Sequence, residues 1–165
     1  MTDGRPLAIV DIDGVVADVR HRLHHLDRRP KNWSAFFAAA VNDATHPEGL
    51  ALLSRLVEDH DVVFLTGRPS HLERDTRKWL AEHGLGDHQL VMRPEGDRRP
   101  AATIKLEALE RLARDAPISI VIDDDTVVIA AAARAGFATF HADWEQRDAR
   151  ADTALRVAQE RDGRT

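Results

Sequence analysis

The sequence predicts an α/β fold, a mainly parallel sheet between two layers of helices (α/β/α), with a small helical cap inserted after the first strand. Three observations predict it. Short β-rich runs alternate along the chain with segments of helical periodicity, and the strongest runs are continuously apolar, as strands covered on both faces are. Three of the runs end in clustered polar residues: Asp11-Ile12-Asp13-Gly14, Thr66-Gly67-Arg68 and Asp123-Asp124-Asp125. Ligands of parallel sheets sit beyond the carboxyl ends of the strands. Capping and turn chemistry explain one such residue well and three clusters at one edge poorly.

Leu7–Asp11 reads as the first strand. Val15–His46 breaks the alternation, holds one helical segment at Trp33–Val41, and reads as a lid spanning about residues 15–46. Pro47–His60 places Leu50, Leu53, Leu56 and Val57 along one helix side, and Val62–Thr66 is the next strand. Pro69–His83 opens with proline and stops before Gly84, as helices do, with Leu72, Thr76, Trp79 and Leu80 on one face. Gln89–Met92 is a weaker strand. Thr103–Arg114 is a helix through Ile104, Ala108, Leu109 and Leu112, and Ile118–Asp123 is a strand. Asp125 caps a helix over Thr126–Ala135, and Ala138–His141 is the last strand. Asp143–Thr165 is dense in both signs of charge and reads as a charged helix or loose tail, outside a domain formed by residues 1–142.

A chain of 165 residues suits one domain. It contains no cysteine, which excludes disulfides, thiolate metal sites and cysteine nucleophiles. No apolar stretch is long enough for a secretory signal or a membrane helix, so a cytoplasmic protein that makes no use of a membrane is expected. With 23 Lys and Arg against 28 Asp and Glu, the net charge of −5 argues against indiscriminate coating of nucleic acid and leaves room for a local basic groove.

Asp11 and Asp13 stand two apart at a strand end, so both carboxylates can face one pocket. That pairing suits hydrolysis of phosphate monoesters. One carboxylate attacks phosphorus and forms an aspartyl phosphate, and the second protonates the leaving oxygen and later activates water. Asp11 fits the first role and Asp13 the second, with crowding among carboxylates expected to keep a proton on Asp13. Asp123 and Asp124, with Asp11, offer hard oxygen ligands for Mg²⁺. Lys105 brings a compact positive charge, Thr66 a hydroxyl, Gly67 close backbone approach and Arg68 a two-pronged phosphate contact.

The order Asp-x-Asp, Thr, Lys, Asp-Asp, carried by DIDGVVAD, LTGRP, Lys105 and VIDDD, resembles the haloacid dehalogenase superfamily of phosphotransferases across about Leu7 to His141. TRKWL at Thr76–Leu80, MRPEGDRRPAATIK at Met92–Lys105 and IDDDTVVIAAAARAGF at Ile122–Phe137 look most like the 3′-phosphatase domain of phage-type polynucleotide kinases. The resemblance implies a Rossmann-like fold. It implies Asp11 as nucleophile, Asp13 as acid/base, Thr66, Lys105 and Arg68 as phosphate contacts, and Mg²⁺ held by Asp11, Asp123, Asp124 and the backbone carbonyl of Asp13. It also implies a phosphate monoester substrate, a 3′-phosphorylated nucleic-acid end or a nucleotide, and leaves open whether a separate kinase or ligase is a partner. The sequence departs from that family at Ala101-Ala102, where an acidic pair can precede the lysine, and at Asp125, where an arginine can stand. No Gly-Lys pair exists, so a P-loop kinase motif is absent.

The stretch Arg20–Lys31, with five Arg or Lys, three His and one Asp, is either a grip on a phosphodiester backbone, through Arg20 and Arg22 first, or a solvated lid surface. Trp33, Phe36 and Phe37 at helical spacing suit the lid's own core better than base stacking. Two other functions remain at this point. A nucleotidase or small-metabolite phosphatase on the same scaffold would turn over free mononucleotides. A phosphate-accepting receiver module would place its lysine after the other motif residues and would lack Asp13.

Overall fold

The computed structural model describes residues 4–146 and 149–165, without the side chains of 149–152. Five parallel strands form one sheet: β1 (Leu7–Val10), β4 (Asp61–Pro69), β5 (Gln89–Arg93), β6 (Ile118–Asp123) and β7 (Thr139–His141), in the order β5-β4-β1-β6-β7. Between β1 and β4 the chain makes a two-stranded antiparallel ribbon, β2 (Ala17–Asp18) with β3 (Ala44–Thr45), which carries the lid.

The continuously apolar strands are covered on both sides, as expected. On one face Ala8 and Val10 of β1 join Val62 and Phe64 of β4 against Leu53 of α2 (Pro47–Leu56) and Trp79 and Leu80 of α3 (Glu73–Glu82). On the other, Leu7, Ile9, Val63, Leu65 and Val121 meet Ala108, Leu109 and Leu112 of α4 (Ala101–Leu112) and Ala132 of α5 (Thr126–Arg134). The period-two alternation of β1 therefore feeds two separate cores, and its neighbours β4 and β6 run away to opposite sides. That makes the carboxyl end of β1 the crevice of the sheet.

Several boundaries differ from expectation for local reasons. β4 runs on through Thr66-Gly67-Arg68 to Pro69, with its register to β5 shifting after Thr66, so the polar triplet belongs to a buried strand end. Ser70–Leu72 then forms a single 3₁₀ turn, and α3 starts at Glu73. α2 stops at Leu56, leaving Val57 exposed beyond the apolar side assigned to it. Asp125 caps α5 as expected, its Oδ1 accepting from the Val127 N–H at 2.8 Å.

The lid comprises 3₁₀ turns over Arg20–Leu26, α1 (Trp33–Ala38) capped by Asn32, and a further turn at Ala39–Asn42. Phe36 and Phe37 are buried in its core with Val19, Leu23 and Leu26. The same cluster includes Leu155 and Ala158, from α6 (Ala149–Arg156) and the wide turn Val157–Arg161 that follows. Residues 153–165 are thus packed against the lid where a loose tail had been one expectation. Two apolar side chains amid many charges suffice because the lid supplies the rest of their core. Among the described residues no helix is long and apolar enough to cross a membrane.

The chain between β1 and the ribbon leaves no room above α2: a Cβ on Gly49 would lie 2.1 Å from the Val15 carbonyl oxygen. Gly49→Ala gains helix propensity but must push α2 off the chain leaving β1. We expect a net loss of about 1–3 kcal/mol, the usual cost of overpacking, measured by urea unfolding.

Candidate active site

The amide of Asp11 donates to the Ile122 carbonyl at 2.9 Å, which fixes the first acid against β6. The chain then turns so tightly that the amides of Val15, Val16 and Ala17 all point at the carbonyl of Ile12. Gly14 makes this turn possible. Its φ is +80°, and a Cβ there would lie 2.4 Å from Asp124 Oδ2.

Two charge constellations form in this crevice. In the first, Lys105 Nζ, reaching from α4, lies 2.7 Å from Asp123 Oδ2 and 3.1 Å from Asp11 Oδ2. Asp124 completes it: one carboxylate oxygen from each of Asp11, Asp123 and Asp124 lies within 4.8 Å of the others, and all three residues are buried. One ammonium cannot neutralise three carboxylates. Burial, opposed by Lys105 and reinforced by Asp123 and Asp13, pushes the Asp11 carboxyl up to about 8. Burial likewise raises Asp123, and burial with the charges of Asp123 and Asp11 raises Asp124 well above the carboxylate range. Lys105 shifts upward, because Asp11 and Asp123 outweigh the burial that would lower it. Asp11 Oδ2 faces the ammonium but makes no well-directed hydrogen bond among the described residues. Hard oxygen donors carrying surplus negative charge fit a divalent cation such as Mg²⁺.

The second constellation is built around Asp13. Its Oδ1 accepts from Arg68 Nε at 3.0 Å, Arg68 Nη2 at 2.6 Å and Arg22 Nη2 at 3.0 Å, and its Oδ2 accepts from the Thr165 hydroxyl at 3.0 Å. Burial alone would raise Asp13. The charges of Arg68 and Arg22 and the bonds from Arg68 and Thr165 win, holding it well below the usual carboxylate range. This corrects the expectation that crowded carboxylates would keep a proton on Asp13. Its side chain points at two guanidinium groups, and the protonation pressure falls on Asp11 and Asp124. Asp13 also stays out of the side-chain cluster suited to a metal, leaving only its backbone for that role.

Thr66 is buried and its Oγ1 accepts from the Arg68 amide at 3.2 Å, while the Gly67 carbonyl accepts from Arg93 Nε at 2.9 Å. Arg20 and Arg22, paired in the sequence reading, separate. Residues two apart on a 3₁₀ turn point to different sides. Arg22 is buried on Asp13, whereas Arg20 is exposed and forks onto Asp18.

Asp43 and Arg93 were missed. Asp43 accepts from Arg22 Nε and Nη2, both at 2.8 Å, and from Arg68 Nη2 at 3.0 Å, and its Oδ1 lies 2.7 Å from His21 Nε2. It is the second anion that lets two guanidinium groups be buried side by side. A lone Asp before a two-residue strand carries no pattern that would have marked it. Arg93, fully buried, also donates to the main-chain oxygens of Arg99 and Thr165, and its position at a strand end was the only hint. A further grouping of Asp18, His46 and Glu145 is already partnered: His46 Nε2 lies 2.6 Å from Glu145 Oε1, and Arg20 holds Asp18.

The raised carboxyl of Asp11 makes a stability prediction with a definite sign. A group whose folded pKa lies above its unfolded value stabilises fully below the unfolded pKa, near 4, and loses that contribution as pH rises through about 8. The metal-free protein should therefore melt at falling temperature between pH 5 and 8, and Asp11→Asn should flatten the slope. Millimolar Mg²⁺ should raise the melting temperature most at the alkaline end and release protons on binding, seen by calorimetry in buffers of different ionisation enthalpy.

Residues 6–146 match the family model described as the polynucleotide kinase PNKP phosphatase domain. No curated protein sequence matches the chain. Two solved structures of the Pnkp1/Rnl/Hen1 complex, one described as an RNA repair complex, align over 86% of this chain with TM-scores of 0.68 and 0.67 at 23% and 24% identity. The alignments cover 43% and 47% of those chains, so this chain spans less than half their length. A haloacid dehalogenase-like hydrolase of Streptococcus pneumoniae aligns at TM-score 0.61 and 12% identity, over 86% of this chain and 85% of that one. A HAD-hydrolase of Bacillus subtilis bound to magnesium aligns at 0.56 and 12%, over 82% and 87%. With that match over most of its length, on a haloacid dehalogenase-like fold, the chain belongs to the family of polynucleotide kinase PNKP phosphatase domains.

Proposed function

We propose that this phosphatase is a Mg²⁺-dependent phosphomonoesterase that works through an aspartyl phosphate on Asp11 and acts on 3′-phosphorylated nucleic-acid ends. The reading rests above all on the segregation of charge within one crevice: a carboxylate-rich half around Lys105 and an arginine-rich half around Asp13, both at the end of β1. Asp11, Asp123 and Asp124, with the backbone carbonyl of Asp13, would hold the metal ion, which when bound neutralises phosphate charge and aligns the displacement.

In the first half-reaction a carboxylate oxygen of Asp11 bonds to phosphorus, the phosphorus–ester oxygen bond breaks, and the departing oxygen takes a proton from Asp13. In the second, Asp13 recovers a proton from water, the water oxygen bonds to phosphorus, and the Asp11–phosphorus bond breaks to give inorganic phosphate. Asp13 must carry a proton for the first half, although Arg22 and Arg68 hold it ionised in the free protein. A phosphate dianion supplies the change. It competes for both guanidinium groups, weakens their hold on Asp13 and so raises its affinity for a proton. Among the described residues Arg22 Nη1 is buried without a hydrogen-bond partner, a donor ready for a phosphate oxygen.

The family match and the likeness to the Pnkp1/Rnl/Hen1 complex support a nucleic-acid end as substrate and work beside a separate kinase or ligase. Phosphate release should be fastest from a 3′-phosphorylated oligonucleotide, slower from 3′- and 5′-mononucleotides and an aryl phosphate, and the oligonucleotide preference should shrink as salt rises. Equal or faster turnover of mononucleotides would favour a nucleotidase. Asp11→Asn should abolish phosphate release from every substrate, and Asp13→Asn should slow it about 10²–10⁴-fold, the range for a lost general acid–base. Normal release by either variant would remove that residue from the mechanism.

A further inference from the structure

Residues 157–165 leave the lid core and cross the crevice. Gln159 is buried, with Nε2 3.5 Å from Asp124 Oδ1. Thr165 is also buried: its hydroxyl donates to Asp13 Oδ2, and its main-chain oxygen accepts from Arg93 Nη2 at 3.2 Å. Its backbone covers Gly67 so closely that a Cβ there would lie 2.2 Å from the Thr165 carbonyl carbon. Gly67 and Asp13 are the groups that the proposed reaction needs open, one toward the phosphoryl group and one toward the leaving oxygen. The Thr165 hydroxyl stands on Asp13 where an ester oxygen would have to stand.

Further contacts tie the segment down. Asp162 pairs with Lys31 of the lid, the Arg164 guanidinium lies 4.7 Å above the Trp33 ring, and Glu160 Oε1 accepts from the Ala102 amide at 3.3 Å. The approach is so tight at Gly163 (φ +59°) that a Cβ would lie 2.0 Å from the Arg98 carbonyl oxygen. Only glycine allows the chain to reach the crevice by this path.

We infer that residues 157–165 form an intrasteric strap that occupies the substrate's place on Gly67 and Asp13, so that a phosphate monoester binds only the form in which the strap has been displaced. This rests on the crevice at Asp11 and Asp13 being the phosphate site. Apart from Ala158 in the lid core, the seat is polar and conditional: the Thr165 hydroxyl on Asp13, its main-chain oxygen on Arg93, Gln159 on Asp124, Glu160 on the Ala102 amide, and an ion pair and a stacked guanidinium on the lid. A ligand that competes for Asp13 and Gly67 and brings more negative charge to the arginines can exchange with it.

The test uses the full chain and inorganic phosphate with Mg²⁺, which report on the crevice whatever the natural substrate is. Gly163→Ala should evict the strap, and Arg164→Ala should loosen it without a clash; neither residue is part of the proposed chemistry. Apparent affinity falls by the fraction of binding-competent protein, so a strap open about a tenth of the time predicts about tenfold tighter phosphate binding by Gly163→Ala and a smaller gain by Arg164→Ala. Turnover of an aryl phosphate at low concentration should rise in parallel. In the unaltered protein, phosphate should speed hydrogen exchange of the Ala102 amide, which donates to Glu160 Oε1 of the strap. Unchanged or weaker phosphate binding by folded variants, or phosphate bound with that amide still protected, overturns the strap. If Gly163→Ala does not fold, Arg164→Ala and the exchange measurement decide. Tighter phosphate binding without activity on oligonucleotides upholds the strap and defeats the polynucleotide reading.

Discussion

Lys105 holds together a site that electrostatics would otherwise push apart. Its ammonium bridges Asp11 and Asp123 across the gap between β1 and β6, with Asp124 beside them, all removed from water. Removing one partner from a buried charge pair costs about 3–5 kcal/mol, because the remaining charge has no solvent to turn to. The geometry of the crevice follows from that constraint. Parallel strands bring their carboxyl ends together, α4 runs antiparallel to them on one face, and its first turns aim Lys105 at the strand tips. The surplus of negative charge that one lysine leaves behind is the physical case for a divalent cation.

The other half of the crevice solves the opposite problem. Arg22 and Arg68 are buried cations, and Asp13 alone could not offset both. Asp43 supplies the second carboxylate, so the four charges balance in pairs. A balanced, hydrogen-bonded set is stable as it stands and poor at acid catalysis, since it keeps Asp13 ionised. Substrate binding is therefore part of the chemistry in the mechanism proposed above: the incoming dianion unbalances the set in the direction that lets Asp13 carry a proton.

Most of this was legible in the sequence where local rules decide. Continuous apolar runs gave the strands, Asp125 gave the start of α5, and the polar residues at three strand ends gave Asp11, Thr66, Arg68, Asp123 and Asp124 a common place. The convergence of these strand-end residues follows from sheet topology, whereas Lys105, on α4, was marked by its place in the motif order. What escaped depends on contacts between segments far apart in the chain. Asp43 acquires its meaning only when the lid folds back over β4. Arg93 acquires its meaning only when residue 165 arrives beside Gly67. The sign of the Asp13 shift depended on which neighbours its side chain would face, arginines or carboxylates, and spacing at a strand end is silent on that. Leu155 and Val157, the only branched aliphatic side chains after residue 142, were too few to suggest a packed segment, because the partners of Leu155 lie in the lid.

The proposed mechanism requires a bond from an Asp11 carboxylate oxygen to phosphorus. Acid quenching during turnover of a 3′-phosphorylated oligonucleotide, followed by mass spectrometry of the peptide containing residues 11–13, tests it most directly. A single phosphoryl group should appear on Asp11, absent from Asp11→Asn and accumulating in any variant that slows attack by water. Phosphate released at full rate with no phosphoryl group trapped on Asp11, or with the group on another residue, would contradict it.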